Sequence, residues 1–244
     1  MGLFGFGKKN EAPAQVATPV STPAPGLVIT GAPGVGKNPS APAGGGLSLG
    51  KQSGKISLVK GATVTIEKTA VITARCEWSS STDYDLYALV LMKDGRELVV
   101  STFGSQSQPN PTANILNGAV RHLGDVGRGA KGIAEETIEI RLTDEIEAVV
   151  PVAYSAQSNG SGSFRRYQVS LGLDNGQGTK VTIDSTNASK DDGVYTVAIG
   201  VIRNGADGVV VESLEAYSKR GSENRPAFRN GQLIMDAGAK NLYK

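Results

Sequence analysis

One stretch constrains this chain more than any other. Asp83-Tyr84-Asp85-Leu86-Tyr87-Ala88-Leu89-Val90-Leu91-Met92 runs into Lys93-Asp94-Gly95-Arg96 and resumes as Glu97-Leu98-Val99-Val100. From Leu86 to Met92 both alternate sets of positions are apolar. A strand with one face in water shows strict alternation, so this run suits a strand covered on both faces. Asp94-Gly95 between two such runs predicts a tight hairpin, because the turns that match strand twist need positive φ, which glycine adopts freely. The carboxylates Asp83 and Asp85 stand where this strand gives way to loop.

The rest of the chain surrounds that hairpin with short runs. Ile56-Ser57-Leu58 and Val64-Thr65-Ile66 are strand candidates split by Lys60-Gly61, and Ile72, Ala74, Cys76 and Trp78 alternate with polar residues. Ile138 to Leu142 and Tyr167 to Leu173 alternate in the same way. Val149 to Tyr154 is a buried run in which Pro151 predicts an edge position or a bulge. Val181 to Ile183, Tyr195 to Ile202 and Val209 to Tyr217 follow, the last two joined around Asn204-Gly205. Many short strands separated by turn residues predict an all-β fold, a two-sheet antiparallel β-sandwich over residues 53–217. The 32 glycines and an aromatic content of 5% fit such a chain of short strands and turns. The lone cysteine, Cys76, cannot form an internal disulfide and falls on the apolar side of its strand, so a small buried side chain is expected.

Residues 1–52 have a different composition. Seven of the 11 prolines fall there among Ala, Gly, Ser and Thr. So little apolar surface cannot offset the entropy of ordering the segment, and a disordered Pro/Gly/Ala-rich N-terminal tail is expected. Leu3, Phe4 and Phe6 form a small apolar plug at its start, suited to docking on a partner through a flexible tether. Leu27 to Asn38 spells out something close to a phosphate-binding P-loop. Asn38 replaces the Ser or Thr that would hold Mg²⁺, however, and Pro39 to Gly46 cannot build the helix such a loop requires, so the segment is expected to be linker. Residues 218–244 form an extension in which Phe228 to Met235 could make a small hairpin.

With 25 Lys and Arg against 23 Asp and Glu, the chain lacks the global field of a nucleic-acid-binding protein. It has neither a run of ~20 apolar residues nor a leader-like start, which predicts a cytoplasmic protein. His122 is the sole histidine, and no nucleophile motif accompanies it, so no catalytic residue is expected.

The chemistry the chain does suggest lies in its acids. Val120 to Thr137 is rich in glycine and carries Asp125, Glu135 and Glu136. Hard cations such as Ca²⁺ take about six to eight oxygens, and glycine lets a loop wrap closely enough to supply carbonyls. If this loop folds over the start of the core strand, Asp83, Asp85, Asp125, Glu135 and Glu136 could converge on one ion. The competing expectation is a surface loop whose acids pair with Arg121, Arg128 and Lys131.

These residues resemble the TerD family of bacterial tellurium-resistance and stress-response proteins. The resemblance runs across most of 53–217 through Ile56-Ser57-Leu58-Val59-Lys60-Gly61, the Trp78 strand, Asp83-x-Asp85-Leu86-x-Ala88, His122-x-Gly124-Asp125, Asp191-Asp192-Gly193 and Asn204-Gly205. It implies a β-sandwich that binds Ca²⁺ through acid-rich loops and serves as a non-enzymatic part of a cytoplasmic, membrane-associated stress complex. This chain departs from the family pattern in one respect. Where members carry further acids, it has Ala130, Lys131, Gly132, Ile133 and Ala134, so a single weakened Ca²⁺ site is expected. The resulting expectation is a protein-binding module of a stress-response complex, able to associate peripherally with a membrane. The alternative is a structural or assembly protein that uses the sandwich as a building block and the N-terminal tail as a docking tether.

Overall fold

The computed structural model describes residues 48–79, 81–126, 131–159, 162–184 and 188–242. Sixteen strands lie along them: β1 Ser48–Gln52, β2 Lys55–Leu58, β3 Thr63–Ile66, β4 Ile72–Ser79, β5 Asp85–Met92, β6 Glu97–Val100, β7 Asn114–Ile115, β8 Val120–His122, β9 Ile133–Ile140, β10 Ile146–Tyr154, β11 Ser170–Asp174, β12 Lys180–Ile183, β13 Thr196–Asn204, β14 Val209–Tyr217, β15 Ala227–Arg229 and β16 Gln232–Ile234. Two seven-stranded sheets pack face to face as a β-sandwich, ordered β1-β3-β14-β13-β10-β5-β6 and β2-β12-β11-β4-β9-β8-β7. β15 and β16 form a separate two-stranded hairpin.

Alternation explains the contact between the sheets. In β4, Ile72, Ala74, Cys76 and Trp78 are buried while the residues between them are partly exposed. Ala134, Ile138 and Ile140 of β9 and Leu171 and Leu173 of β11 project from the same sheet into the interior. They meet Leu86, Ala88, Val90 and Met92 of β5 and Val209 and Val211 of β14. Each fully buried aliphatic side chain contributes roughly 1.5–3 kcal/mol of transfer free energy. Cys76 is a free thiol within this layer, and burial pushes its pKa up, away from reactivity.

Both sheets are mixed rather than purely antiparallel. β1 runs parallel to β3, and β2 parallel to β12. The expected boundary of the N-terminal tail is corrected as well, because Ser48–Gln52 forms an edge strand instead of belonging to a tail that ends at 52. This strand joins the sheet by backbone pairing with β3, which apolar alternation does not signal.

β5 is buried along its whole length, as the doubly apolar run requires. Its turn carries Gly95 at φ 85, and Gly95 N–H donates to Met92 O. The loop has three residues, with glycine in the left-handed position, rather than the two-residue form. Pro151 sits in the central strand β10, not at an edge, and the β10–β13 register shifts between Val149 and Val152, so the bulge absorbs the missing N–H.

Residues from 218 onward complete the domain. Phe228, Leu233 and Met235 pack with Tyr87, Leu89, Leu91, Val150, Val152, Ala198 and Val201, which line the face of the first sheet turned away from the sandwich interior. This second core covers the other side of β5. The strap is fastened by Glu223, which is 2% exposed and accepts from Tyr154 Oη–H and Gln157 N–H at 2.8 Å each. Lys240 pairs with the other oxygen of Glu223 at 3.1 Å. No helix among the described residues is long and apolar enough to cross a membrane.

Candidate metal centre at the sandwich rim

β5 extends beyond its edge neighbour. β6 pairs with residues 88 to 91, so among the described residues no strand lies beside the outer edge of β5 near Leu86. A buried peptide left there would cost about 1–3 kcal/mol per unsatisfied group. Side chains of the opposing sheet fill the role instead. Leu86 N–H donates to Glu136 Oε2 at 2.6 Å, and Leu86 O lies 2.9 Å from His122 Nε2. His122 Nδ1 accepts from Gly124 N–H at 3.0 Å, so the proton resides on Nε2, which donates to Leu86 O and lies 3.4 Å from Glu136 Oε2. Both ring nitrogens of His122 are thereby engaged. His122 is buried, and its ring bridges the main chain of Leu86 and of Gly124.

Glu136 reaches this position because Ile133–Ile140 is a strand rather than part of a loop. Along β9 the side chains alternate, and Glu136 falls on the interior face with Ala134 and Ile138. Its Oε1 accepts from Val126 N–H at 3.3 Å, tying the β8–β9 connection down onto the sheet. Asp85, the first residue of β5, is buried beside it, and Asp125 approaches from the connection and is exposed. Carboxylate oxygens of Asp85, Asp125 and Glu136 all lie within 4.8 Å of one another.

The structure separates the other two candidates from this group. Glu135 is adjacent to Glu136 and so points to the opposite face of the sheet. There it lies 3.4 Å from Arg75 and accepts from Thr137 Oγ1–H at 3.2 Å. The five-residue cluster expected from the sequence is corrected on this point by the two-residue period of a strand. Asp83 precedes β5 and stands outside the three-carboxylate group, and its main-chain oxygen accepts from Asn159 Nδ2–H at 3.0 Å. The docking residues Leu3, Phe4 and Phe6 and the P-loop-like segment lie outside the described residues.

Three carboxylates at this separation fit a hard cation. Ca²⁺ holds oxygens at about 2.3–2.6 Å, so oxygens facing each other across it stand up to roughly 5 Å apart. Glu136 remains able to take part, since a carboxylate offers about four acceptor positions. Only Asp125 is open to water, which leaves solvent as the source of further ligands. Around the same connection Leu123, Val126 and Ile133 are 51%, 48% and 72% exposed, three of the five large apolar side chains that stand out among the described residues.

No family model and no curated protein matches the chain. A crystal structure described as an unknown function protein SAV2460 is similar at a TM-score of 0.43 and 13% identity, covering 61% of this chain and 92% of its own.

Proposed function

We propose that this protein is a non-enzymatic binding module of the TerD type, in which Asp85, Asp125 and Glu136 hold one Ca²⁺ at the rim of the sandwich. The observation that supports this reading is that three carboxylates from three separate elements meet within 4.8 Å. The ion supplies an electrostatic link between the β8–β9 connection and the start of β5. The protein's own residues prepare the site: Leu86 N–H and Val126 N–H orient Glu136, and His122 fixes the peptide that follows Asp85. With only three carboxylates and one open side, affinity falls in the weak range, around 10⁻⁴–10⁻³ M. Leu123, Val126 and Ile133 flank the site and give a protein partner an apolar contact beside the charged one. In this reading the module belongs to a cytoplasmic stress-response complex, and calcium orders the surface that the partner reads.

The test is native mass spectrometry with thermal melting, each with millimolar Ca²⁺ and with chelator. One bound ion and a raised melting temperature are expected, because a ligand that binds only the native state stabilises it by mass action. Identical spectra and melts under both conditions would remove the calcium reading.

A further inference from the structure

Two loops at the same end of the sandwich as the acid group carry chemistry of the opposite sign. Tyr154 pairs with Asp85 on one side and Thr196 on the other, so the segment after β10 and the segment before β13 emerge beside the start of β5. They are joined by Gly162 N–H donating to Asp192 O at 2.9 Å. Between them lies an open cavity of about 490 Å³ lined by Ser163, Arg165, Arg166, Lys190 and Asp192.

The backbone that presents these groups is fixed. Phe164 is 1% exposed and packs against Tyr84 and Tyr217, with ring centres 5.3 and 5.9 Å away. The turn closes through Tyr167 N–H to Ser163 O and Val169 N–H to Phe164 O. Arg165 and Arg166 follow this anchor directly, and Arg166 lies 5.5 Å over the ring of Tyr167. On the other loop, Asp191 Oδ1 accepts from Gly193 N–H at 2.8 Å and binds Arg220, so Asp191 and Arg220 neutralise each other. Arg165, Arg166 and Lys190 have no such partner, and none of the three forms an ion pair among the described residues. Among the described residues, three cations and one acid, Asp192, line this cavity.

We propose that this cavity binds the phosphate group of a phosphorylated polyol, with Arg165, Arg166 and Lys190 contacting the phosphate. Guanidinium pairs donate to phosphate in parallel, and the ammonium of Lys adds a point charge. The cavity is several times larger than a bare phosphate, so it has room for a carrier. Among the described residues no aromatic side chain lines it, which leaves a nucleobase nothing to stack on. Ser163 and Asp192 offer a hydroxyl and carboxylate oxygens that suit the hydroxyl groups of a sugar or inositol. Such a group can belong to a soluble sugar phosphate or to an inositol phosphate lipid headgroup.

The test titrates the full chain, in chelator so that the acid rim takes no part, with glucose 6-phosphate. Glucose and sulfate serve as controls, and amide chemical shifts are followed. A parallel arm sediments phosphatidylcholine vesicles with and without phosphatidylinositol 4-phosphate. The R165E/K190E variant reverses two exposed charges, and K55E/K93E makes the same charge change elsewhere. Binding in either arm that weakens at least about tenfold in R165E/K190E, with K55E/K93E unchanged, supports the site and shows whether the source is soluble or lipid. No binding in either arm overturns the proposal. Equal binding by glucose 6-phosphate and sulfate, or equal weakening in both variants, overturns it too, since either outcome reports charge alone.

Discussion

The guanidinium of Arg225 lies 5.0 Å from the centre of the Tyr87 ring, inside the second core. It is 4% exposed, stands 5.1 Å from the Phe103 ring, and donates to Asn241 Oδ1 at 2.6 Å and to the main-chain oxygens of Phe103 and Gly104 at 3.0 and 3.2 Å. Rings and carbonyls thus take the place of a paired acid, and burial holds the Arg225 pKa below its ordinary value. R225M keeps much of the apolar bulk but leaves those oxygens without a donor. A loss of about 3 kcal/mol in urea denaturation is expected, and a loss under ~1 kcal/mol would show that the strap is held by its apolar residues alone.

Removing residues 219–244 tests the strap as a whole. Tyr87, Leu89, Leu91, Val150 and Val152 would lose the side chains that cover them. Contiguous apolar surface of this kind drives association. Strong binding of a hydrophobic dye and self-association on size-exclusion chromatography are expected. A monomeric, dye-free truncation would mean that the sheet face tolerates water.

At the acid site, Asp125 is exposed whereas Asp85 and Glu136 are buried. D125N should abolish the Ca²⁺-induced rise in melting temperature while leaving the melt in chelator nearly unchanged. E136A should lower the melt in chelator as well, by about 1–3 kcal/mol, because Leu86 N–H loses its acceptor. If D125N responds to Ca²⁺ like the unmodified protein, the ion is not held at this rim.

Glu97 links stability to pH. Its carboxylate accepts from Phe228 N–H on the strap, and burial raises its pKa above the ordinary value, although Phe228 N–H and Arg229 pull the other way. A carboxyl whose folded pKa lies above its unfolded one binds its proton more tightly when folded. Stability contributed by that proton is present below the unfolded pKa and is lost as pH rises through the folded pKa. E97Q should remove this decline from the stability profile just above the usual glutamate range and keep an acceptor for Phe228 N–H. An unchanged profile would place the titration elsewhere.

Gly162 separates close packing from turn geometry. A Cβ there would stand 1.9 Å from Val194 O, a main-chain atom that cannot move aside cheaply. G162A is expected to cost about 2 kcal/mol or more and to disturb the two loops joined by Gly162 N–H. Equal thermal stability of G162A and the unmodified protein would contradict that packing.

The sandwich was legible because its information is local. The alternation from Ile72 to Trp78 dictates one buried face, and the doubly apolar Leu86–Met92 run predicted a covered second face without showing what covers it. Asp85, Asp125 and Glu136 were identified as acids, but their grouping depended on register. Once Ile133–Ile140 is a strand, neighbouring Glu135 and Glu136 must point in opposite directions, and only one of them enters the interior. The sequence did not show what His122 bonds to, since its partner is the main chain of Leu86, 36 residues away.

By itself, the sequence determined the class of fold, the central hairpin and the burial of Cys76, because periodicity and turn chemistry act over a few residues. Tertiary structure alone decided that residues beyond 218 close the second face of β5, that Ser48–Gln52 adds a parallel edge strand, and that three of five acids share a rim. These outcomes depend on strand order and on backbone groups left unpaired at sheet edges, which contacts between residues distant in the chain must satisfy.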